Sequence, residues 1–212
     1  EDVNMIVYCG GFSNSDVLGS AKGWAGGFLF NPKAKEALEK FYAREDTLSL
    51  GICNGFQALV KLGLVPFGEI IDMADDAPTL TFNTIARHQS MMVTTRIASN
   101  KSPWLYGCEV GDIHTIPISH GEGRFVAPDR IIQQMANNGQ IATQYVDLDG
   151  NPTMDIRYNP NTSVEAIEGI TSPDGRVLGK MGHSERIGSF IGKNVPGSKD
   201  QKIFESGVKY FK

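Results

Sequence analysis

Cysteine is scarce in this sequence: Cys9, Cys53 and Cys108 are the three among 212 residues. They are scattered and none forms a Cys-x-x-Cys pair, which excludes a disulfide framework and a zinc site of the common kind. Reduced thiols, and with them a cytoplasmic protein, are expected. Long apolar runs are also lacking. The longest are short strand-like stretches, well below the roughly 20 residues of a membrane-spanning helix. Nor does one sign of charge dominate, since the formal net charge is -4 and both signs are mixed along the chain. That removes the basic footprint of a nucleic-acid binder and the polybasic patch of a membrane-surface protein. The first residues are acidic, where a secretory leader opens on basic ones. Repeats and low-complexity tracts are absent.

What remains is an ordinary globular composition, 41% apolar and 21% charged, which suits a single α/β domain over residues 1–212. Met5 to Cys9 reads as a buried strand, followed by turn formers from Gly10 to Asp16. Asn31-Pro32 opens an amphipathic helix over Lys33 to Ala43, with Ala37, Leu38 and Phe41 on one face. Leu48 to Ile52 is a second strand, and Phe56 to Leu62 has helical spacing that stops at Gly63. Strand, helix, strand, turn, helix predicts a parallel sheet wrapped by helices. From Leu80 onward the character changes. β-type runs at Leu80 to Ala98, Ile113 to Ile118, Ile141 to Val146 and Arg176 to Met181 predict further strands beside that sheet. Lys199 to Phe211 predicts a closing helix, weakened by Gly207.

Gly51-Ile52-Cys53-Asn54-Gly55 has the G-x-nucleophile-x-G form of a nucleophile elbow between a strand and a helix. Glycines flank the central residue because a side chain there would collide with the neighbouring turn. The elbow sets the thiol at the positive end of the next helix, so an ionised, reactive sulfur is expected. A thiolate needs a base, and the base an orienting group. His183-Ser184-Glu185 offers both, because residues i and i+2 of an extended segment point to the same side. Gly10-Gly11-Phe12 after the first strand, with the N–H of Asn54, offers donors for an oxyanion. His88 and His114 have no evident partner in sequence. His120-Gly121-Glu122-Gly123-Arg124 leaves three alternatives open: a competing base for Cys53, a metal site or a contact loop.

These motifs, in chain order Cys, His, Glu, resemble those of the class I glutamine amidotransferases. More narrowly, the chain is similar to the C-terminal glutaminase domains of the large, single-chain phosphoribosylformylglycinamidine synthases. The stretches that carry this are Cys9 to Ser13, Asp16 to Gly19, Gly23 to Ala25, Gly51 to Gly55, Ser119 to Arg124, Gln144 to Asp147, Tyr158 to Asn161, Gly169 to Thr171 and His183 to Arg186. The resemblance implies a three-layer sandwich, flavodoxin-like, with a mostly parallel central sheet and additional antiparallel strands. It also implies that a first strand and helix of the domain precede the chain. It implies glutamine as substrate, with Cys53 as nucleophile, His183 as proton shuttle, Glu185 as its orienter, and Gly11 and Asn54 at the oxyanion hole. Gln57, Asn83, Arg87 and Gln144 become candidates around the glutamine, and His120, Glu122 and Arg124 a loop that lines the site or faces a synthetase domain. No cofactor or metal is implied for this domain. ATP and magnesium belong to the synthetase domain of the same polypeptide, to which ammonia is passed in de novo purine biosynthesis.

The sequence departs from that pattern in places. Ser184 stands where proline is usual, Phe56 where a small residue is common, Asn14-Ser15 where tyrosine and glycine are found, and Thr162 where glycine is found. None of these removes a catalytic atom. A related Cys-His-Glu thiol hydrolase of γ-glutamyl or peptide bonds, and a catalytically silent docking domain, remain the alternatives.

Overall fold

A computed structural model of the chain describes residues 2–11 and 19–212. The turn formers Phe12 to Asp16, and the matched residues Asp16 to Leu18, lie outside the described residues.

Two parallel pairings build the first part of the sheet. β1 (Met5–Tyr8) pairs with β2 (Leu48–Ile52), and β2 pairs with β9 (Val177–Lys180). The remaining strands continue it in antiparallel fashion through β8 (Ile167–Thr171), β7 (Ile141–Tyr145), β4 (Gln89–Ile97) and β5 (Ile113–His120). The full order is β1-β2-β9-β8-β7-β4-β5. A separate two-stranded ribbon joins β3 (Thr79–Thr81) to β6 (Arg124–Val126). The fold is therefore α/β with a mixed sheet. The parallel portion and the antiparallel additions meet at β9, the strand that leads to His183.

Sequence dictates the helices unevenly. α2 (Pro32–Tyr42) begins where expected, because the Asn31 side chain accepts hydrogen bonds from the N–H groups of Lys33 and Ala34 and proline opens the first turn. α3 (Asn54–Leu62) ends at Gly63, which adopts φ 85°. α1 (Lys22–Leu29) and α4 (Asp129–Asn137) were not anticipated. Three glycines dilute the helical signal in the first, and the second has no side-chain N-cap. The closing helix is shorter than its pattern, α5 running Ile203–Lys209.

The core lies along α3 and the central strands. Leu50, Phe56, Leu59, Val60, Leu62 and Leu178 are all fully enclosed, and burying each such side chain stabilises the fold by roughly 1.5–3 kcal/mol. Phe56 has room because Gly179 lies beneath it, where a Cβ would stand 2.1 Å from the phenyl ring. The helix presses equally closely on β1. A Cβ at Gly55 would lie 1.9 Å from the carbonyl oxygen of Tyr8. These contacts fix the start of α3 against the ends of β1, β2 and β9.

Candidate active site

Cys53 sits at that junction, between β2 and α3, with φ 53° and ψ -108°. This left-handed backbone is unfavourable for a residue with a Cβ. Its neighbours hold it there: the Cys53 N–H donates to the Lys180 carbonyl at 2.8 Å, and its own carbonyl accepts from the Gln57 N–H at 3.1 Å. Gly51 is equally constrained, since a Cβ would meet the Leu59 side chain at 2.5 Å. The elbow read from the sequence is thus present in the backbone.

The sulfur faces a cavity of about 240 Å³ that Gly11, Asn54, Gln57, His88, His120 and His183 help to line. The backbone N–H groups of Asn54 and Gly11 both reach the sulfur and favour its thiolate. Gly11 itself has φ 100°, a conformation that suits glycine. The expectation of an ionised thiol is nevertheless corrected. Cys53 is only 7% exposed, and burial pushes its thiol up to about 11, outweighing the two N–H groups and the Arg186 guanidinium, while Glu185 adds to the rise. In the resting protein the thiol is protonated, and it lies 3.7 Å from the Ser119 carbonyl oxygen. A base has to remove that proton.

His183 is placed to do so. It follows β9 by three residues, and its N–H donates to the Pro117 carbonyl at 2.8 Å. Its ring packs against Gly10, where a Cβ would stand 2.8 Å from His183 Cε1 and 3.3 Å from Cys53 Cβ. Glu185 Oε1 lies 2.6 Å from His183 Nδ1, while Nε2 is buried and makes no hydrogen bond among the described residues. Burial raises the Glu185 carboxyl, but the hydrogen bond from His183, the local backbone N–H and the Arg186 guanidinium together bring it below the ordinary value. It therefore stays a carboxylate at neutral pH and fixes Nδ1 as the protonated nitrogen.

The loop after β5 closes the other side of the cavity. Gln57 lines the cavity, yet its side chain is already engaged: Nε2 donates to the Glu122 carbonyl at 2.6 Å, and Oε1 accepts from Asn54 Nδ2 at 2.8 Å. Glu122 Oε2 accepts from the Ser20 N–H at 2.6 Å. His120 is 3% exposed, with neither ring nitrogen partnered among the described residues. Burial, and repulsion from His183 and His88, hold its ring down at about 3, so it is neutral. Among the described residues, none gives His120 a carboxylate partner of the kind His183 has.

Three residues anticipated around a substrate are placed elsewhere. Asn83 is buried and braces the loop from behind, its amide donating to the carbonyls of His120 and Arg87 and its oxygen accepting from the Gly123 N–H. Arg87 is exposed and outside the cavity lining. Gln144 is spent on Arg96 and the Glu165 carbonyl. Arg124 belongs to β6 and is likewise not part of the lining. In their place the cavity has His88, Ser119 and Arg186. His88 Nε2 lies 3.0 Å from Ser119 Oγ, a contact made by the β4–β5 pairing and invisible in the order of residues. Arg186 had a signal: it directly follows Glu185 and shares the matched motif.

Residues 1–211 match the CobB/CobQ-like glutamine amidotransferase domain family. Among solved structures the chain is similar to PurLQS from Thermotoga maritima, at 27% identity and a TM-score of 0.70. The match covers 100% of this chain and 82% of that one. It is also similar to the glutaminase domain of Trypanosoma brucei CTPS with bound acivicin, at 14% identity and a TM-score of 0.51, covering 98% of this chain and 72% of that one.

Proposed function

The chain belongs to the CobB/CobQ-like glutamine amidotransferase domain family, and on that premise we propose that it is the glutaminase domain of a phosphoribosylformylglycinamidine synthase. It hydrolyses glutamine to glutamate and ammonia and hands the ammonia to an ATP-dependent synthetase domain of the same polypeptide. ATP and magnesium act in that partner, and no residue of this chain is assigned to them. The likeness to PurLQS supports the synthase assignment.

One observation carries the reading. Cys53 and His183 share a cavity, two backbone N–H groups reach the sulfur, and Glu185 holds the far nitrogen of the ring. From this geometry the steps follow. His183 Nε2 takes the thiol proton as the sulfur attacks the glutamine side-chain carbonyl. The negative charge moves to the carbonyl oxygen, where the N–H groups of Gly11 and Asn54 are the donors. The C–N bond breaks and His183 returns the proton to the departing nitrogen, so that ammonia leaves and a thioester remains. Water, deprotonated by His183, then adds to the thioester and releases glutamate and the thiol. Glu185 keeps the ring in the tautomer that all these transfers need and stabilises the imidazolium between them.

The test is Cys53→Ala in the full-length synthase. Glutamine-dependent synthesis disappears and synthesis from added ammonia persists, because the two chemistries occupy different sites. Loss of both would make Cys53 a structural residue and sink the reading.

A further inference from the structure

Behind the His183 turn lies a buried ion pair. Lys180, the last residue of β9, and Glu168, on β8, are both completely enclosed, with Nζ 3.4 Å from Oε1. Isolated charges in such a place are strongly disfavoured, so the neighbours that share them are informative. Glu168 accepts from the Thr143 hydroxyl and from the Gly182 N–H. Lys180 Nζ donates to Ser184 Oγ at 2.7 Å and reaches the Gly182 carbonyl at 3.4 Å. Ser184 Oγ in turn donates to Gln201 Oε1 at 2.5 Å. Apart from the ion pair itself and the Thr143 bond, these links end on residue 182 or 184, the two residues that flank His183. Gly182 cannot move inward, since a Cβ there would meet Ile116 at 2.2 Å and Glu168 Oε1 at 2.8 Å.

We propose that Glu168, Lys180, Ser184 and Gln201 form a positioning network that sets the angle of the His183-Ser184-Glu185 turn, with the Ser184 hydroxyl as its hook. The inference rests on the reading of His183 as the base for Cys53. The physical reason is that, beyond the His183 N–H on the Pro117 carbonyl and the Arg186 N–H on the His183 carbonyl, the network supplies the side-chain hold on the turn. Residues 187–192, which follow, are half-buried or exposed, so the imidazole is oriented from the sheet side through its own backbone. A hydroxyl that accepts from a charged ammonium and donates to an amide has both bonds directed, and charge-assisted bonds of this kind are short and orientation-specific. Burial lowers the Lys180 ammonium and Glu168 opposes that shift. The carboxylate thus works against the loss of the charge that donates to the hook.

The experiment measures labelling of Cys53 by the chloroketone analogue of glutamine, site by site by mass spectrometry, in the full chain. Saturation curves separate the maximal rate from the half-saturating concentration. Ser184→Ala is expected to lower the maximal rate about tenfold with an unchanged half-saturating concentration, and Ser184→Thr to restore it to within about twofold. Cys108 is buried against the Gln201 carbonyl, so its labelling reports any variant that has come apart. If Ser184→Ala exposes Cys108, Gln201→Leu takes its place, since it removes the acceptor of the hydroxyl and leaves the turn intact. That variant labels severalfold more slowly under the proposal. A wild-type rate in a folded Ser184→Ala or Gln201→Leu protein, or a Thr variant as slow as Ala, overturns the network. His183→Asn is the separate control. If it labels at the wild-type rate, the assignment of the base has failed and not merely its positioning.

Discussion

His183 and Glu185 face each other at 2.6 Å through Nδ1 and Oε1, and the nitrogen left over, Nε2, is buried without a partner among the described residues. A carboxylate in this position does two things: it selects the tautomer and it stabilises the imidazolium once the Cys53 proton has moved. Glu185→Gln keeps the shape and removes both effects. Its glutamine hydrolysis, measured with the synthetase partner present, is expected to fall roughly a hundredfold to ten-thousandfold in kcat. KM stays within a few fold, because Glu185 is on the side of the ring away from the cavity. A kcat near wild type would mean that another group orients the base.

The thiol of Cys53 makes its own prediction. Burial places it at about 11 against an ordinary value of 9, so the small neutral reagent iodoacetamide meets mostly thiol at pH 7. Its rate of reaction with Cys53 should climb with pH through 9 and level off only near 11. Because the folded value is raised, the same group stabilises the fold below pH 9 and loses that contribution between 9 and 11. A labelling curve that levels off below pH 8 would show instead that the Asn54 and Gly11 N–H groups and Arg186 outweigh burial.

Gly55 tests the elbow from the packing side. A Cβ there would stand 1.9 Å from the Tyr8 carbonyl oxygen, and neither β1 nor α3 can withdraw without opening the core. Gly55→Ala is expected to cost about 3 kcal/mol or more in urea unfolding, at the severe end of overpacking. A loss below 1 kcal/mol would mean that the start of α3 is looser than this contact implies.

The elbow was legible because its cause is local. Gly51, Cys53 and Gly55 are tied together by one tight turn, where a side chain at Gly51 would meet Gly55 and Leu59, although Gly55 itself also answers to the distant Tyr8 carbonyl. The His183–Glu185 pair was legible from its short spacing, although the extended segment expected there is in fact a turn, closed by the Arg186 N–H on the His183 carbonyl. Asn83 and Gln144 were not. Their amides answer to groups 37 and 48 residues away in sequence, the His120 carbonyl and Arg96, and nothing in the local pattern names those partners. Lys180 was opaque too. A lysine at a strand end reads as solvent-facing, and only the seven-stranded order, with β9 between β2 and β8, encloses it. Thr162 shows the opposite case. The sequence marked it as standing where glycine is found, and its φ of 57° gives the reason.

His120 supplies the last prediction, one of acid stability. Its ring is enclosed beside His183 and His88, and burial first, then repulsion from those two rings, hold it at about 3 against 6.5 in the unfolded chain. Below 6.5 the unfolded chain binds a proton that the folded chain refuses. The contribution is therefore complete above pH 6.5 and is lost as pH falls toward 3. By pH 4 the loss amounts to about 3 kcal/mol from this residue. Carboxylates such as Glu185 weaken the fold over part of the same range, so the comparison has to be differential. Urea unfolding of the wild type and of His120→Gln at pH 7 and pH 4 isolates the imidazole, because the amide does not titrate. The variant should lose about 3 kcal/mol less than the wild type across that interval. Equal losses in the two proteins would mean that the His120 ring accepts a proton in the folded state, and with it a place in the charge balance around Cys53 that its enclosure now denies it.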